Sequence, residues 1–468
     1  LEAEALAQQG LLRWHSQDLK GADGAFAEAI LAAEAGRHPE AAARAWVERV
    51  GVMGDLHDPV AHEHAKHAWA MLEALGNDDR LQARLRMYLG TVALSEDRYP
   101  DAKAEYQAAV ALVEKAIGPD EPLLASAYNN FALMLDRFGE HEESLAYHRR
   151  ALAIYEKALG PEHPQCGRSL SNIGIVLYEQ GKYEEALAAQ RRALALQERA
   201  LGEGVLIALT VNNIGNVLMD EGRLEEAAGQ FERSVRIWEK VSKGSHQGAF
   251  PLSNLGTVRL RQGRPQEAAA LHREAISRME KVAAEYPELC GPLTAYSEDL
   301  VALGRFPEAQ RVLERARAIA ERKLGPSHFR VGEALSGMAL SLSAQGRHRD
   351  ALRKFEEALA VREKALGARS VVLATDLTGI GQSHLALGDV AAARLALERA
   401  VALRESAPVD PTSLAESRFA LARALGAKGG DVARARALAE QAREGFSRAA
   451  QLRRRELAEV AAWLARAR

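Results

Sequence analysis

Between Arg168 and Leu201 the apolar positions keep a helical period that breaks once. Leu170, Ile173, Gly174 and Leu177 fall three and four apart and make one apolar face of a helix. Gln180-Gly181-Lys182 interrupts it, the glycine being suited to the left-handed conformation that closes a helix. Tyr183-Glu184-Glu185-Ala186 opens a second helix, with carboxylates in the first turn where the helix dipole favours them. Ala186 and Ala193 share a face two turns apart. Gly174 and Ala186 lack bulk, which lets the two helices approach closely. Leu201-Gly202 is the next stop.

This phrase recurs. Gly139, Gly181, Gly222, Gly263, Gly304, Gly346, Gly388 and Gly430 stand 41 or 42 residues apart. Each is followed five residues on by a small residue (Ser144 to Ala435), and seven later by another (Ala151 to Ala442). A fixed period of this size marks a stacked repeat array, in which each unit packs only on its neighbours and the product presents a surface. Helices alternate throughout and no strand is credible, so the chain reads as all-α.

The unit resembles the tetratricopeptide repeat (TPR). Numbered so that Gly174 is position 8, the family's small residue there is matched by Gly90, Ala132, Gly174, Gly215, Gly256, Ser297, Ala339, Gly381 and Ala422. Small residues at positions 20 and 27 also match. Position 24 departs: it is aromatic only at Tyr106, Phe231 and Phe355, with Gln190, His272 or Leu397 elsewhere. The unit is seven or eight residues longer than the usual ~34, which is about two helical turns or ~12 Å. This longer form resembles kinesin light chains and related bacterial proteins, through NNFA at Asn129 to Ala132, NNIG at Asn212 to Gly215, QGKYEEA at Gln180 to Ala186 and LGPEHP at Leu159 to Pro164. The resemblance implies a right-handed α-solenoid of tandem TPR helix pairs with a C-terminal cap helix.

The expected organisation is two degenerate TPR-like units over 1–79, about nine repeats over 80–450 and a cap over 451–468. The degenerate phrases are Leu11 to Gly36 and Trp46 to Gly76. The joins at Tyr286 to Ala295 and at Pro408 and Pro411 are irregular without marking a boundary. The N-terminal phrases and the last helices also resemble the region after the catalytic domain of bacterial Ser/Thr protein kinases. That likeness makes a second reading: the regulatory arm of a signalling kinase whose catalytic part is not in this chain. Helix-like sequence already at Leu1, without a methionine, fits a fragment of a longer protein.

Composition narrows the partners. Lys and Arg total 61 against 64 Asp and Glu, a net of −3. Nucleic-acid binders usually carry a basic stripe, so none is expected as a partner. No stretch approaches 18 consecutive apolar residues, so no membrane partner is expected. Two cysteines, Cys166 and Cys290, are too few for a disulfide framework and favour a reducing, cytoplasmic setting as inert thiols.

Candidate chemistry is thin. His57, His62, His64 and His67 cluster, but Lys66 stands where the zinc-protease motif needs its second histidine. His348-Arg349-Asp350 imitates a kinase catalytic loop, yet Phe355 occupies the asparagine position. No phosphate loop or nucleophile motif appears, so no catalytic residue, metal or cofactor is expected.

The remaining signal is a polar stripe. Position 5 of the first helix reads Asn129, Ser171, Asn212, Ser253, Thr294, Ser336 and Thr378 in seven consecutive repeats. Positions 2, 5, 9 and 12 share one face. In TPR proteins that face lines a concave groove holding an extended peptide, and amides and hydroxyls satisfy both N–H and C=O groups. Tyr178 and Asn216 lie on the stripe; Arg137, Arg168 and Arg261 flank it, as do Asp136, Glu179, Asp220 and Glu298. The expected function is protein or peptide binding through this groove, its backbone contacts made by Asn129, Asn212 and Asn216. Losing those three should weaken binding and spare stability. The plainer alternative is that these side chains cross-link neighbouring helices, as expected for Asn130, Asn172, Asn213 and Asn254 at position 6.

Overall fold

The computed structural model describes residues 1–15, 18–76, 78–96, 98–116, 118, 120–202, 204–406, 411–427, 430–448, 450 and 453–466. These form helices joined by short turns, with no strand among the described residues. The helices are α1 (Glu2–His15), α2 (Leu19–Ala35), α3 (Pro39–Asp55), α4 (Ala61–Ala74), α5 (Asp79–Ser95), α6 (Tyr99–Ala116), α7 (Pro122–Arg137) and α8 (His141–Leu159). There follow α9 (Pro164–Glu179), α10 (Tyr183–Leu201), α11 (Val205–Asp220), α12 (Leu224–Val241), α13 (Ala249–Arg261), α14 (Pro265–Glu280), α15 (Cys290–Ala302) and α16 (Phe306–Lys323). The series ends with α17 (Phe329–Ala344), α18 (His348–Leu366), α19 (Leu373–Leu387), α20 (Val390–Glu405), α21 (Pro411–Leu425), α22 (Val432–Ser447) and α23 (Arg454–Arg466). Odd and even helices pair antiparallel from the start, so the first two pairs begin at Glu2 and Pro39, earlier than the degenerate phrases suggest. The join at Pro287 is a single 3₁₀ turn running into α15; Pro408 lies outside the described residues.

The chain forms two compact units, Leu1–Glu179 with Arg192–Ala200, and Gln180–Arg191 with Leu201–Arg468. In each, helix pairs stack through apolar side chains. Phe131 fills the first unit's core beside Tyr106 and Leu135, while Trp238, Phe355 and Phe446 are fully buried in the second. Full burial of each such side chain stabilises by roughly 1.5–3 kcal/mol.

Position 8 is small because of what faces it. A Cβ on Gly215 would stand 2.6 Å from the Phe231 ring, and one on Gly90 would stand 2.9 Å from Tyr106. Both partners are position 24 of the same pair's second helix. The turn glycines Gly139 to Gly388 all have positive φ, as the sequence implies. In the second pair the corresponding turn residue is His57, held at φ 54° without glycine's freedom. Gly430 breaks the series: its φ is not left-handed, and a Cβ there would stand 2.1 Å from the Leu425 carbonyl oxygen.

Stacking gives each unit an inner and an outer side. First helices of successive pairs touch one another, α3 to α5 and α7 to α9 in the first unit and α11 to α13 through α19 to α21 in the second. No comparable contact joins successive second helices among the described residues. Long ion pairs bridge them instead: Arg192–Glu156 at 2.6 Å, Arg315–Glu280 at 2.6 Å and Arg434–Glu398 at 3.0 Å. The closer-packed first helices therefore line the inside of each bend. The cap helix α23 packs its Val460 and Leu464 inward and sets Trp463 edge-on to Phe419, 6.4 Å between centroids.

Candidate functional site

The inner face is built from positions 2, 5, 9 and 12 of the first helices, and its polar side chains divide into two kinds. In the first unit Asn129 is engaged at both ends of its amide. Its Nδ2 donates to Ser169 Oγ of the next repeat at 3.0 Å, and its Oδ1 accepts from His148 Nδ1 at 2.7 Å. His148 stands at position 24, where the family carries an aromatic ring, and burial lowers its pKa to about 4. It is a neutral imidazole, protonated at Nδ1 because Asn129 presents only its oxygen. Arg137 and Arg168 are exposed at the margins, and Ser171 and Tyr178 are half-buried on α9.

A rule emerges in the second unit. Ser336 Oγ is bonded to Asp376 and Thr378 Oγ1 lies 2.8 Å from Ser417 Oγ. With Asn129 and Ser169, these join position 5 of one repeat to position 3 of the next. Asp376 is further held by Arg362 Nη1 at 2.9 Å, an ion pair with almost no exposure. Burial raises the Asp376 carboxyl, and Arg362 opposes that shift. Ser336 and Thr378 are buried, as is Thr294.

Position 5 is released at Asn212 and Ser253, where position 3 of the following repeat is proline, whereas Thr294 is buried although it faces Ala334. Asn212 faces Pro251 in this register, and Ser253 faces Pro292. Asn212 is instead steadied by Asn254, whose Nδ2 donates to Asn212 Oδ1 at 3.1 Å and Asn216 Oδ1 at 3.0 Å. Both oxygens are thereby fixed, and the Nδ2 groups of Asn212 and Asn216 have no partner among the described residues. Exposed Leu209 and Phe250, at position 2 of α11 and α13, border them. Arg261 is held at the edge by the Met219 carbonyl at 3.2 Å, with Asp220 Oδ1 at 3.6 Å. Sequence reasoning missed Leu209 and Phe250, because an apolar residue on a helix reads as core until the face is known.

Below this patch lies a buried pair. His272, again at position 24, places Nδ1 2.6 Å from Asp299 Oδ2 and Nε2 2.9 Å from the Ser253 carbonyl. A carbonyl only accepts, so Nε2 carries a hydrogen and the other lies in the bond to Asp299. Burial raises the Asp299 carboxyl and His272 opposes the shift. Glu298, beside it, is open to water but flanked by protein. Burial first, then Asp299 and Glu333, push its carboxyl to about 7 against the opposing charges of His272 and Arg261.

The tetratricopeptide-repeat family profile matches residues 81–157, 137–199, 206–281, 292–364 and 330–406, more than half of the chain. The chain belongs to the tetratricopeptide-repeat family. No curated protein sequence matches this TPR chain. Among solved structures, it is similar to a putative kinesin light chain with nearly identical TPR-like repeats from Podosopora anserina, at 22% identity and TM-score 0.38 over 43% of this chain and 97% of that one. A Rap protein complexed with competence and sporulation factor shares 16% identity and TM-score 0.55 over 78% of this chain and 98% of that one. The Rap conjugation gene regulator of plasmid pLS20, in complex with the Phr* peptide, shares 15% identity and TM-score 0.51 over 79% and 96%.

Elsewhere in the TPR array the decoys resolve into structure. His62 Nε2 pairs with Glu96 at 2.6 Å, His67 stacks on Trp46 with centroids 4.6 Å apart, and His64 is buried beside the same ring. Asp350 is tied by Arg347 and Arg353 in the first turn of α18. Cys166 and Cys290 are buried, and burial raises both thiols, Cys290 to about 11. No described helix is long and apolar enough to cross a membrane. Among the described residues a different set of carboxylate and imidazole groups converges: Asp136, His141 and Glu179, whose oxygen and nitrogen atoms lie within 4.8 Å of one another.

Proposed function

We propose that the chain is a protein- or peptide-binding scaffold that works through the inner face of its first helices and carries no catalysis of its own. The observation behind this is the Asn212–Asn216–Asn254 cluster. One amide locks two others by their oxygens, which leaves two fixed donors beside exposed Leu209 and Phe250. Donors held in place before binding lose little freedom on meeting a backbone carbonyl, and adjacent apolar side chains supply contact area. Arg261 and Glu298 at the margins offer both signs of charge to the ligand's side chains. The TPR fold supports the reading, as do the two Rap proteins of this fold, found with competence and sporulation factor and with the Phr* peptide. Peptides selected from a random display library against the full chain test it. Their hydrogen-exchange footprint should fall on α11 and α13. Protection confined to second helices would contradict the proposal.

A further inference from the structure

We propose that Asp136, His141 and Glu179 form a site for a divalent transition-metal ion of the zinc class, clamping the α7–α8 turn to the end of α9. The three donors come from three helix termini: near the end of α7, the start of α8 and the end of α9. His141 Nδ1 lies 2.7 Å from Asp136 Oδ1 and 3.9 Å from Glu179 Oε2. Ligands about 2.05 Å from a tetrahedral ion stand about 3.3 Å apart. One separation must therefore open, and the other close, by about 0.6 Å, within the reach of side-chain torsions.

No lysine or arginine is within ion-pair distance of either carboxylate among the described residues, so a single imidazole serves two anions. Glu179 has no hydrogen bond among the described residues. The C-termini of α7 and α9 add partial negative charge. The side chains are 14%, 29% and 45% exposed for Asp136, His141 and Glu179, which holds them in place and leaves room for a water ligand. One imidazole and two carboxylates suit zinc or its neighbours, whereas calcium and magnesium prefer oxygen alone. The repeat pattern does not produce this set: the matching places around α11–α13 are Met219, Leu224 and Arg261. The sequence expects no metal, and at this junction the proposal departs from that expectation.

The test is calorimetric titration of zinc chloride into the full chain after EDTA dialysis, with the melting temperature followed in parallel. One saturable equivalent that raises the melting temperature is expected, with no effect from magnesium. Glu179→Gln and His141→Ala should each weaken it by about tenfold or more, while the double change His62→Ala, His67→Ala leaves it intact. Glu179→Gln replaces a half-exposed carboxylate by its isostere, so it remains informative if His141→Ala misfolds. No saturable equivalent, undiminished affinity in Glu179→Gln, or a loss confined to the His62 and His67 changes would overturn the proposal.

Discussion

Gly215 and Phe231 meet so closely that a Cβ on the glycine would stand 2.6 Å from the ring. Phe231 is fully buried and cannot swing away into solvent. Gly215→Ala is therefore expected to lose about 1–3 kcal/mol to overpacking, even though alanine gains up to about 1 kcal/mol in helix propensity. Urea unfolding measures the net. A variant as stable as the parent would mean that α11 and α12 separate freely.

How much of this could be read in advance follows from the range of each signal. The glycine turns and the small residues at positions 8, 20 and 27 are local and periodic, so they fixed the helix pairs. What each small residue faces was less legible: Gly215 meets the ring at position 24, while Ser144 at position 20 reaches the backbone of position 8, donating to the Ala132 carbonyl at 2.8 Å. The polar stripe was visible, but its division was not. Whether a position 5 side chain is consumed depends on a residue about 40 positions on, Ser169 for Asn129 but Pro251 for Asn212. Two of the position 24 departures have the same origin: His148 and His272 replace an aromatic ring where a polar partner, Asn129 or Asp299, awaits them.

Asn129 is thus expected to behave as a structural residue. Asn129→Ala leaves the buried His148 Nδ1 and Ser169 Oγ without their partner, which should cost about 1–3 kcal/mol. Asn212→Ala should cost less than about 1 kcal/mol, because Asn254 keeps its bond to Asn216. Thermal melts of the two variants compare them directly. The sequence expects all three asparagines to spare stability; the hydrogen bonds predict instead that Asn129 differs from Asn212 and Asn216. Equal losses would contradict the division of the stripe.

Asp376 and Arg315 test the inner and outer ties. Asp376→Ala strands the Arg362 charge in the core and is expected to cost about 3–5 kcal/mol. Arg315→Ala removes an exposed bridge to Glu280 and should cost no more than about 1 kcal/mol. Denaturant midpoints in the same buffer decide the ranking, and a reversed order would refute it.

Glu298 predicts a pH dependence. The protein packed around it, with Asp299 and Glu333, raises its carboxyl from an ordinary 4.5 toward about 7, and its contact with water tempers the rise. The folded chain binds that proton more tightly, so the contribution to stability is full below pH 4.5 and is lost as pH rises to about 7. Glu298→Gln keeps the shape without titrating. Its stability relative to the parent should grow from pH 4.5 to 7 and then level off, as melts across that range would record. A gap independent of pH would show that Glu298 is not perturbed.

The inner face of α11 and α13 as a peptide site is tested most directly by the affinity of a display-selected peptide for the double variant Asn212→Ala, Asn216→Ala. Two lost hydrogen bonds to fixed donors, some of them leaving a partner unpaired, correspond to about 10- to 1000-fold weaker binding. Fluorescence anisotropy with a labelled peptide should show that loss in a chain that still unfolds cooperatively, its stability lower by no more than about 1–3 kcal/mol because Asn254 Nδ2 loses both acceptors. Leu395→Glu, on the exposed side of second helix α20, should bind as the parent does. Unchanged affinity in the double variant, or a loss matched by collapse of its stability, would contradict the account.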